Sequence, residues 1–219
     1  MSLEFVLFVA GMGLADSLNP ATIAVAVVLA TTDRPVWRLI GYTAGIFGVY
    51  LAGGLILTLG PSGLIRTATH RSDSTLFNVA LLVAGLVALG FAIWVFVHRH
   101  DQAKVPDVAM RPGSALGLGA GMTAVDLPTA FPYFAVIVAI VGKDIHVLPE
   151  IGLLLLFNLM YVLPLIAIIA VAATLGDRAA EPLKKVQDFV TRWSPILLAG
   201  LSAGLGVAVL VAGISGLLG

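Results

Sequence analysis

A polar stretch interrupts the first long apolar run of this chain and reads Gly13-Leu14-Ala15-Asp16-Ser17-Leu18-Asn19-Pro20-Ala21-Thr22. The apolar run covers about residues 3–31, whereas a helix needs only about 20 residues to cross the hydrocarbon core of a bilayer. A charged aspartate at the centre of a membrane helix costs about 2.5–3.5 kcal/mol, and a proline removes a backbone hydrogen bond. The stretch therefore predicts a membrane helix that is broken near its middle around a polar centre.

The composition of the whole chain points to the membrane as well. Hydrophobic residues make up 59% of the 219 residues and charged residues only 11%, against about 25% charged residues in soluble domains. A surface of this composition cannot face water, which argues against a soluble enzyme, a disordered protein or a nucleic-acid-binding protein. The sequence has no cysteine, so disulfide, thiol and cysteine–metal chemistry are excluded.

Six apolar runs are long enough to span a membrane, and short loops connect them. They cover about residues 3–31, 37–60, 76–97, 114–141, 148–175 and 194–218. The loops carry turn and breaker residues, such as Asp33-Arg34-Pro35 in the first loop. We therefore predict an all-α protein that forms a single transmembrane domain over residues 1–219. The first run lacks a basic start and continues past Pro20, so we do not expect a cleaved signal peptide.

The basic residues predict the orientation of the spans. Of the 12 lysines and arginines, all but Arg66, Arg71 and Lys143 lie in the first, third and fifth loops. Because lysine and arginine concentrate in cytoplasmic loops, we expect these three loops inside the cell and both termini outside.

A second polar stretch, in the fourth run, matches the first one. It reads Gly121-Met122-Thr123-Ala124-Val125-Asp126-Leu127-Pro128-Thr129-Ala130-Phe131-Pro132. Both stretches contain a glycine, then an aspartate, then a proline four or six residues after the aspartate. Tyr50 follows Pro20 by 30 residues, and Tyr161 follows Pro132 by 29. We interpret the series as a duplication, with repeat 1 at about residues 1–98 and repeat 2 at about residues 112–219.

Three spans in each repeat would place the two repeats upside down relative to each other. Such inverted repeats are typical of secondary transporters, in which broken helices of the two halves meet near the midplane. We therefore predict two inverted three-helix repeats, with spans 1 and 4 broken near the midplane. A duplicated bundle with only a structural role is the alternative.

The predicted substrate- or ion-binding site lies where the two breaks meet. We expect Asp16 and Asp126 to carry charge or protons there, with Asp126 the stronger candidate because two prolines follow it. The remaining predicted site residues supply hydrogen-bonding groups, aromatic walls and backbone carbonyls freed by proline, and they are Asn19, Pro20, Thr22, Pro128, Thr129, Pro132, Tyr133, Asn158, Tyr161 and Tyr50. The alternatives are helix capping for the aspartates, a bond between helices for Asn158, and packing for the tyrosines.

Other patterns carry less functional information. His98-x-His100 beside Asp101 could hold a metal weakly, although a solvated loop fits better. The spans contain no Ser–His or Ser–Lys pair, and the chain has no phosphate-binding loop, so we expect neither an enzyme nor a cofactor. Glycines four residues apart predict tight helix packing, with a homodimer face as the alternative. Residues 176–193 predict a short interfacial helix or a solvated connector.

The phrases Asp16-Ser17-Leu18-Asn19-Pro20 and Asp126-Leu127-Pro128-Thr129-Ala130-Phe131-Pro132 resemble those of the LysE superfamily of six-span transporters. Within it the chain is most similar to the GAP/Sap group, which addresses glycolipids and sulfolipids, and to its bacterial relatives. The first phrase is also similar to membrane proteins of the CcdA/DsbD type, which have a cysteine where this chain has Ala21. The resemblance implies an exporter-like inverted-repeat fold in the bacterial cytoplasmic membrane.

We therefore predict a secondary transporter, an exporter of a small polar or amphiphilic solute or a cation, driven by a proton or ion gradient. Its expected partners are the lipid bilayer and the solute or cation, and not nucleic acid. The alternative is an accessory membrane subunit of a lipid-export or envelope-assembly complex. A redox conduit is a further alternative, against which the missing cysteines argue.

Overall fold

The computed structural model describes residues 2–60, 82, 85, 86, 89, 90, 92, 93, 97, 115–127, 130–143 and 145–218. Seven helices cover most of this part of the chain: α1 (Leu3–Asp16), α2 (Pro20–Ala30), α3 (Pro35–Leu59), α4 (Ala115–Asp126), α5 (Phe131–Gly142), α6 (Val147–Leu175) and α7 (Ala180–Leu218). A 3₁₀ turn, Gly176–Ala179, joins α6 to α7. No strand occurs among the described residues, which confirms the prediction of an all-α protein.

Two helices are individually long and apolar enough to cross a membrane. They are α3, with 25 residues, and α6, with 29, which correspond to lengths of about 38 and 44 Å. The pairs α1 with α2 and α4 with α5 each pass the same test as one bent span. The described residues thus contain two to four candidate spans, and the chain is a multi-pass membrane protein. The predicted third span lies mostly outside the described residues, so the number six stays a prediction.

Both predicted breaks are present. Helix α1 ends at Asp16 and α2 begins at Pro20, with an angle of 62° between the two helices. Helix α4 ends at Asp126 and α5 begins at Phe131, with an angle of 76°. Each first half-helix therefore ends at its aspartate, and each second half-helix has a proline in its first turn, where the missing N–H costs no helical hydrogen bond.

Glycines allow the broken helices to pack closely against the long ones. A Cβ atom on Gly13 of α1 would lie 2.7 Å from the Phe157 carbonyl oxygen of α6. A Cβ atom on Gly45 of α3 would overlap the Leu116 carbonyl oxygen of α4. Both crossings therefore lack room for even one methyl group. Among the glycines spaced four residues apart, Gly45 confirms the predicted tight packing, whereas a Cβ atom on Gly121, Gly200 or Gly204 would meet no described atom within 4 Å.

The interior and the exterior of the molecule are both apolar. Nine of the 11 residues of α2 are buried, so this helix lies inside the bundle. Large apolar side chains such as Leu148, at 79% exposed, and Val125, at 78% exposed, cover the outside. An exterior of this kind suits lipid and not water.

The segment after α6 differs from both sequence interpretations. Residues 180–193 are helical, but they form the beginning of the 39-residue α7 and not a separate short helix. Leu183 and Val190 pack into the core, whereas Phe189 is 61% exposed. The connector is thus neither a short interfacial helix nor fully solvated, because one of its faces is part of the bundle.

Candidate functional site

The first break is held by local hydrogen bonds. The Ser17 hydroxyl group donates to the Leu14 carbonyl at 2.6 Å, which satisfies an acceptor at the end of α1. The Asn19 side-chain oxygen accepts from the backbone N–H groups of Ala21 at 3.0 Å and Thr22 at 3.3 Å. Asn19 is therefore the N-cap of α2, a position that favours asparagine.

Asn19, and not Asp16, fills the capping role that the sequence left open for the aspartate. Asp16 is only 6% exposed, and its Oδ2 atom accepts a hydrogen bond of 3.3 Å from the Tyr50 hydroxyl group. No cationic side chain among the described residues forms an ion pair with Asp16. The break therefore contains a buried carboxyl group that the helix cap does not use.

Three tyrosines from three helices pack together beside this carboxyl group, which Tyr50 contacts directly. We call Tyr50, Tyr133 and Tyr161 the tyrosine cluster. The ring centre of Tyr50 lies 4.4 Å from that of Tyr161 and 4.8 Å from that of Tyr133. The Tyr133 hydroxyl group donates to the Tyr50 carbonyl oxygen. All three side chains are buried, so the cluster joins α3, α5 and α6 around the end of α1.

The second break lies near the first one but is built differently. Asp126 is partly exposed and lies close enough to Asp16 to interact with it electrostatically. The N-cap of α5 is Ala130, whose side chain cannot accept a hydrogen bond, and Pro132 lies in the first turn of this helix. Among the other predicted site residues, Pro128 and Thr129 lie outside the described residues.

Asn158 carries a buried polar atom that has no hydrogen-bond partner among the described residues. No other residue of the predicted site has such an atom in the described part of the chain. Its Nδ2 atom donates to the Leu154 carbonyl at 2.8 Å, but its Oδ1 atom has no partner there. Asn158 is fully buried and precedes Tyr161 by three residues, which places the two about one helical turn apart on α6. An unpaired buried acceptor costs about 1–3 kcal/mol, and a ligand that donates a hydrogen bond would remove that cost.

Tyr42 and Glu150 are two buried polar residues that the predicted site did not include. The hydroxyl group of Tyr42 donates to the Thr22 carbonyl at 3.3 Å and contacts the Met122 sulfur at 3.8 Å, so it connects both broken spans. Glu150 is 1% exposed in the first turn of α6. The sequence indicates Glu150 only weakly. It is a carboxylate within the apolar run 148–175, but it lies close to the start of that run.

The described residues contain no group of three or more His, Cys, Asp or Glu side chains that could hold a metal. The pair His98 and His100, with Asp101, lies outside the described residues, so this weak metal pattern stays a prediction.

The helices, the apolar exterior and the polar breaks define a multi-pass helical membrane protein with a buried carboxyl group at a helix break. The model of the family described as "Sap, sulfolipid-1-addressing protein" matches residues 9–215. The chain belongs to this family, which confirms the resemblance to the Sap group. The wider resemblances, to the LysE superfamily and to CcdA-type proteins, stay interpretations of the sequence. No curated protein and no solved structure matches the chain.

Proposed function

We propose that the protein is a secondary transporter, and not an enzyme, that exports an anionic amphiphile across the bacterial cytoplasmic membrane. The observation that carries the proposal is the carboxyl group of Asp16. It is 6% exposed at a helix break, it is not the helix cap, and it is held by one tyrosine hydroxyl group. Ionisable residues inside a membrane are expensive, and they typically mark ion pathways and proton relays.

The packing of the broken helices supports an inverted repeat. Helix α1, which opens the first half, packs against α6 of the second half. Helix α4, which opens the second half, packs against α3 of the first half. A pseudo-two-fold axis that exchanges the halves would exchange these two contacts, as in transporters with inverted repeats. We therefore retain six spans in two inverted repeats as part of the proposal.

The orientation is proposed from the basic residues, with both termini outside. The beginnings of α3 and α4 support it, because Gly41 lies against Ala115 at the start of α4. The beginnings of α3 and α4, which follow the first and the third loop in the sequence, therefore lie at one end of the bundle. Both loops belong to the set that is rich in lysine and arginine.

The family description favours an amphiphile over a simple cation as the cargo. It names a sulfolipid, which combines an anionic headgroup with apolar chains. In the proposed mechanism Asp16 takes up and releases a proton or a cation while the tyrosine cluster lines the path of the anionic headgroup. The unpaired Asn158 oxygen accepts a hydrogen bond from a hydroxyl group of the cargo, since it cannot bind the sulfate itself. Asp126, which interacts electrostatically with Asp16, senses the charge state of the first break.

Proteoliposomes that contain only the purified protein test this function. The probe is a short-chain fluorescent lipid with a sulfate headgroup, and its flux is followed with and without an imposed pH or sodium gradient. We expect the protein alone to move the probe and the gradient to accelerate it. An accessory subunit would give no flux without its complex, so inactive wild-type protein of intact fold would contradict the proposal.

A further inference from the structure

A cavity of about 520 Å³ lies at the beginnings of α3 and α4, away from the breaks. Side chains of the first loop and of both helices line it, among them Asp33, Arg34, Trp37, Arg38, Ala115 and Leu116. Its volume is in the range of about 300–1,000 Å³ that is typical of small-molecule sites. Along α3, 12 residues separate Arg38 from Tyr50, or about 18 Å, so this cavity is distinct from the tyrosine cluster.

The charges around the cavity favour an anion. Arg34 and Arg38 bring two guanidinium groups, whereas Asp33 brings one carboxylate. Neither arginine forms an ion pair within the part of the chain that the structure describes. The first-turn N–H groups of α3 have no side-chain cap, and they add partial positive charge at the same place. Guanidinium groups bind phosphate and sulfate oxygens through paired hydrogen bonds.

The backbone of Arg34 is strained. Its φ of 55° and ψ of 54° lie in the left-handed region, and Arg34 is the non-glycine residue with positive φ among the described residues. This conformation costs about 1–2 kcal/mol for a residue with a side chain, whereas glycine adopts it freely. Strain of this kind persists where the surrounding structure fixes the backbone, and it clusters at ligand-binding and active sites.

The surroundings of the cavity indicate that the anion belongs to a membrane lipid. Trp37 is 74% exposed and Leu116 is 53% exposed, so the rim is apolar. Both lie near the start of helices that enter the membrane, where tryptophan typically lies at the level of the lipid headgroups. An apolar rim does not stabilise a soluble anion, whereas it can bury the first carbons of a lipid chain.

We propose that this cavity binds the phosphate or sulfate headgroup of an anionic membrane lipid, with Arg34 and Arg38 as the oxyanion ligands. The cavity selects the lipid by charge at the end of the bundle where α3 and α4 begin. Its role as a cargo entry site depends on the proposed function, whereas the binding itself does not. A transporter could fail to move lipid and still bind it here, and the two failures are distinguishable.

Quenching of Trp37 fluorescence by lipids with brominated chains tests the binding. Trp94 and Trp193 are replaced by phenylalanine so that Trp37 is the remaining tryptophan. The protein is reconstituted in vesicles that contain equal fractions of brominated phosphatidylglycerol or brominated phosphatidylcholine. We expect a clear preference for the anionic lipid. Removal of both arginines should lower the affinity for phosphatidylglycerol relative to phosphatidylcholine by about 30-fold.

The two arginines are removed as Arg34→Gly with Arg38→Gln, since glycine accepts the left-handed backbone and keeps the loop folded. The matched control is Arg178→Gln with Arg192→Gln, which removes the same charge from two exposed positions. We expect the control to keep the lipid preference.

Three results would overturn the proposal: equal quenching by both lipids in the parent protein, equal loss of preference in the control, or full displacement of the lipid by inorganic sulfate. The last result would mean that the site takes a free anion. Circular dichroism of each variant establishes that the helices are intact, so a loss of preference reports on binding.

Discussion

Replacing Asp16 and replacing Asn19 should have opposite consequences, because one residue is proposed to act in transport and the other caps a helix. The Asp16 carboxylate accepts one hydrogen bond, of 3.3 Å from Tyr50, which is long for a hydroxyl donor. Asp16→Asn keeps an acceptor oxygen at that place. We therefore expect the free energy of unfolding to change by less than about 1 kcal/mol.

Asn19→Ala removes the acceptor of two backbone N–H groups, those of Ala21 and Thr22. Loss of an N-cap costs about 0.5–2 kcal/mol in water-exposed helices. Because no bulk water replaces the lost acceptor inside a membrane, we expect the upper end, about 2 kcal/mol. The matched control is Asn19→Ser, whose hydroxyl group can cap the helix, and we expect it to stay within about 0.5 kcal/mol of the wild type.

The assay has two readouts on the same preparations. Reversible unfolding in mixed micelles with increasing SDS gives the change in free energy, and gradient-driven lipid flux in proteoliposomes gives the function. We expect Asp16→Asn to keep its stability but to lose the acceleration of lipid flux by the gradient. Asn19→Ala should be less stable, but its folded fraction should still show gradient-driven flux. A larger loss of stability for Asp16→Asn than for Asn19→Ala, together with normal flux, would refute the division of roles.

Further predictions concern packing and topology. Gly45→Ala should destabilise the fold by about 1–3 kcal/mol, because its methyl group would overlap an α4 carbonyl. Gly48→Ala should not, because no described atom lies within 4 Å of the added methyl group. Tyr133→Phe removes a hydrogen bond to an α3 carbonyl and should cost about 1 kcal/mol in the same unfolding assay. In this cysteine-free chain, a cysteine at Lys104 should be labelled from the cytoplasm and one at Gly219 from outside; the reverse would invert the orientation.

The breaks were predictable from the sequence because their cause is local. A proline lacks the N–H group that a continuing helix needs, and an aspartate in an apolar run requires a polar setting. Helix α1 ends at Asp16 and helix α4 ends at Asp126, which are the two aspartates that predicted the breaks. Tyr50 and Tyr161 follow the prolines of the two breaks at nearly the same distance in the sequence. This spacing indicated that they are related positions, and their rings lie in contact.

The assignment of roles within the site was not predictable, because it depends on packing between distant segments. Whether Asp16 or Asn19 caps α2 is decided by the geometry of a three-residue break. The convergence of Tyr133 with Tyr50 requires two helices to meet, although 83 residues separate them. Tyr42 is not recognisable from the sequence as a bridge between the broken spans for the same reason, since its partners Thr22 and Met122 are 20 and 80 residues away.

Proton movement that depends on the lipid tests the central claim most directly. Vesicles with a pH-sensitive dye inside contain the wild type, Asp16→Asn or Asn19→Ser, and the sulfate-headgroup lipid is then added without an imposed gradient. If Asp16 exchanges the coupling proton, the lipid shifts the internal pH with the wild type and with Asn19→Ser, but not with Asp16→Asn. An equal shift with Asp16→Asn would contradict the assignment of Asp16 as the coupling residue.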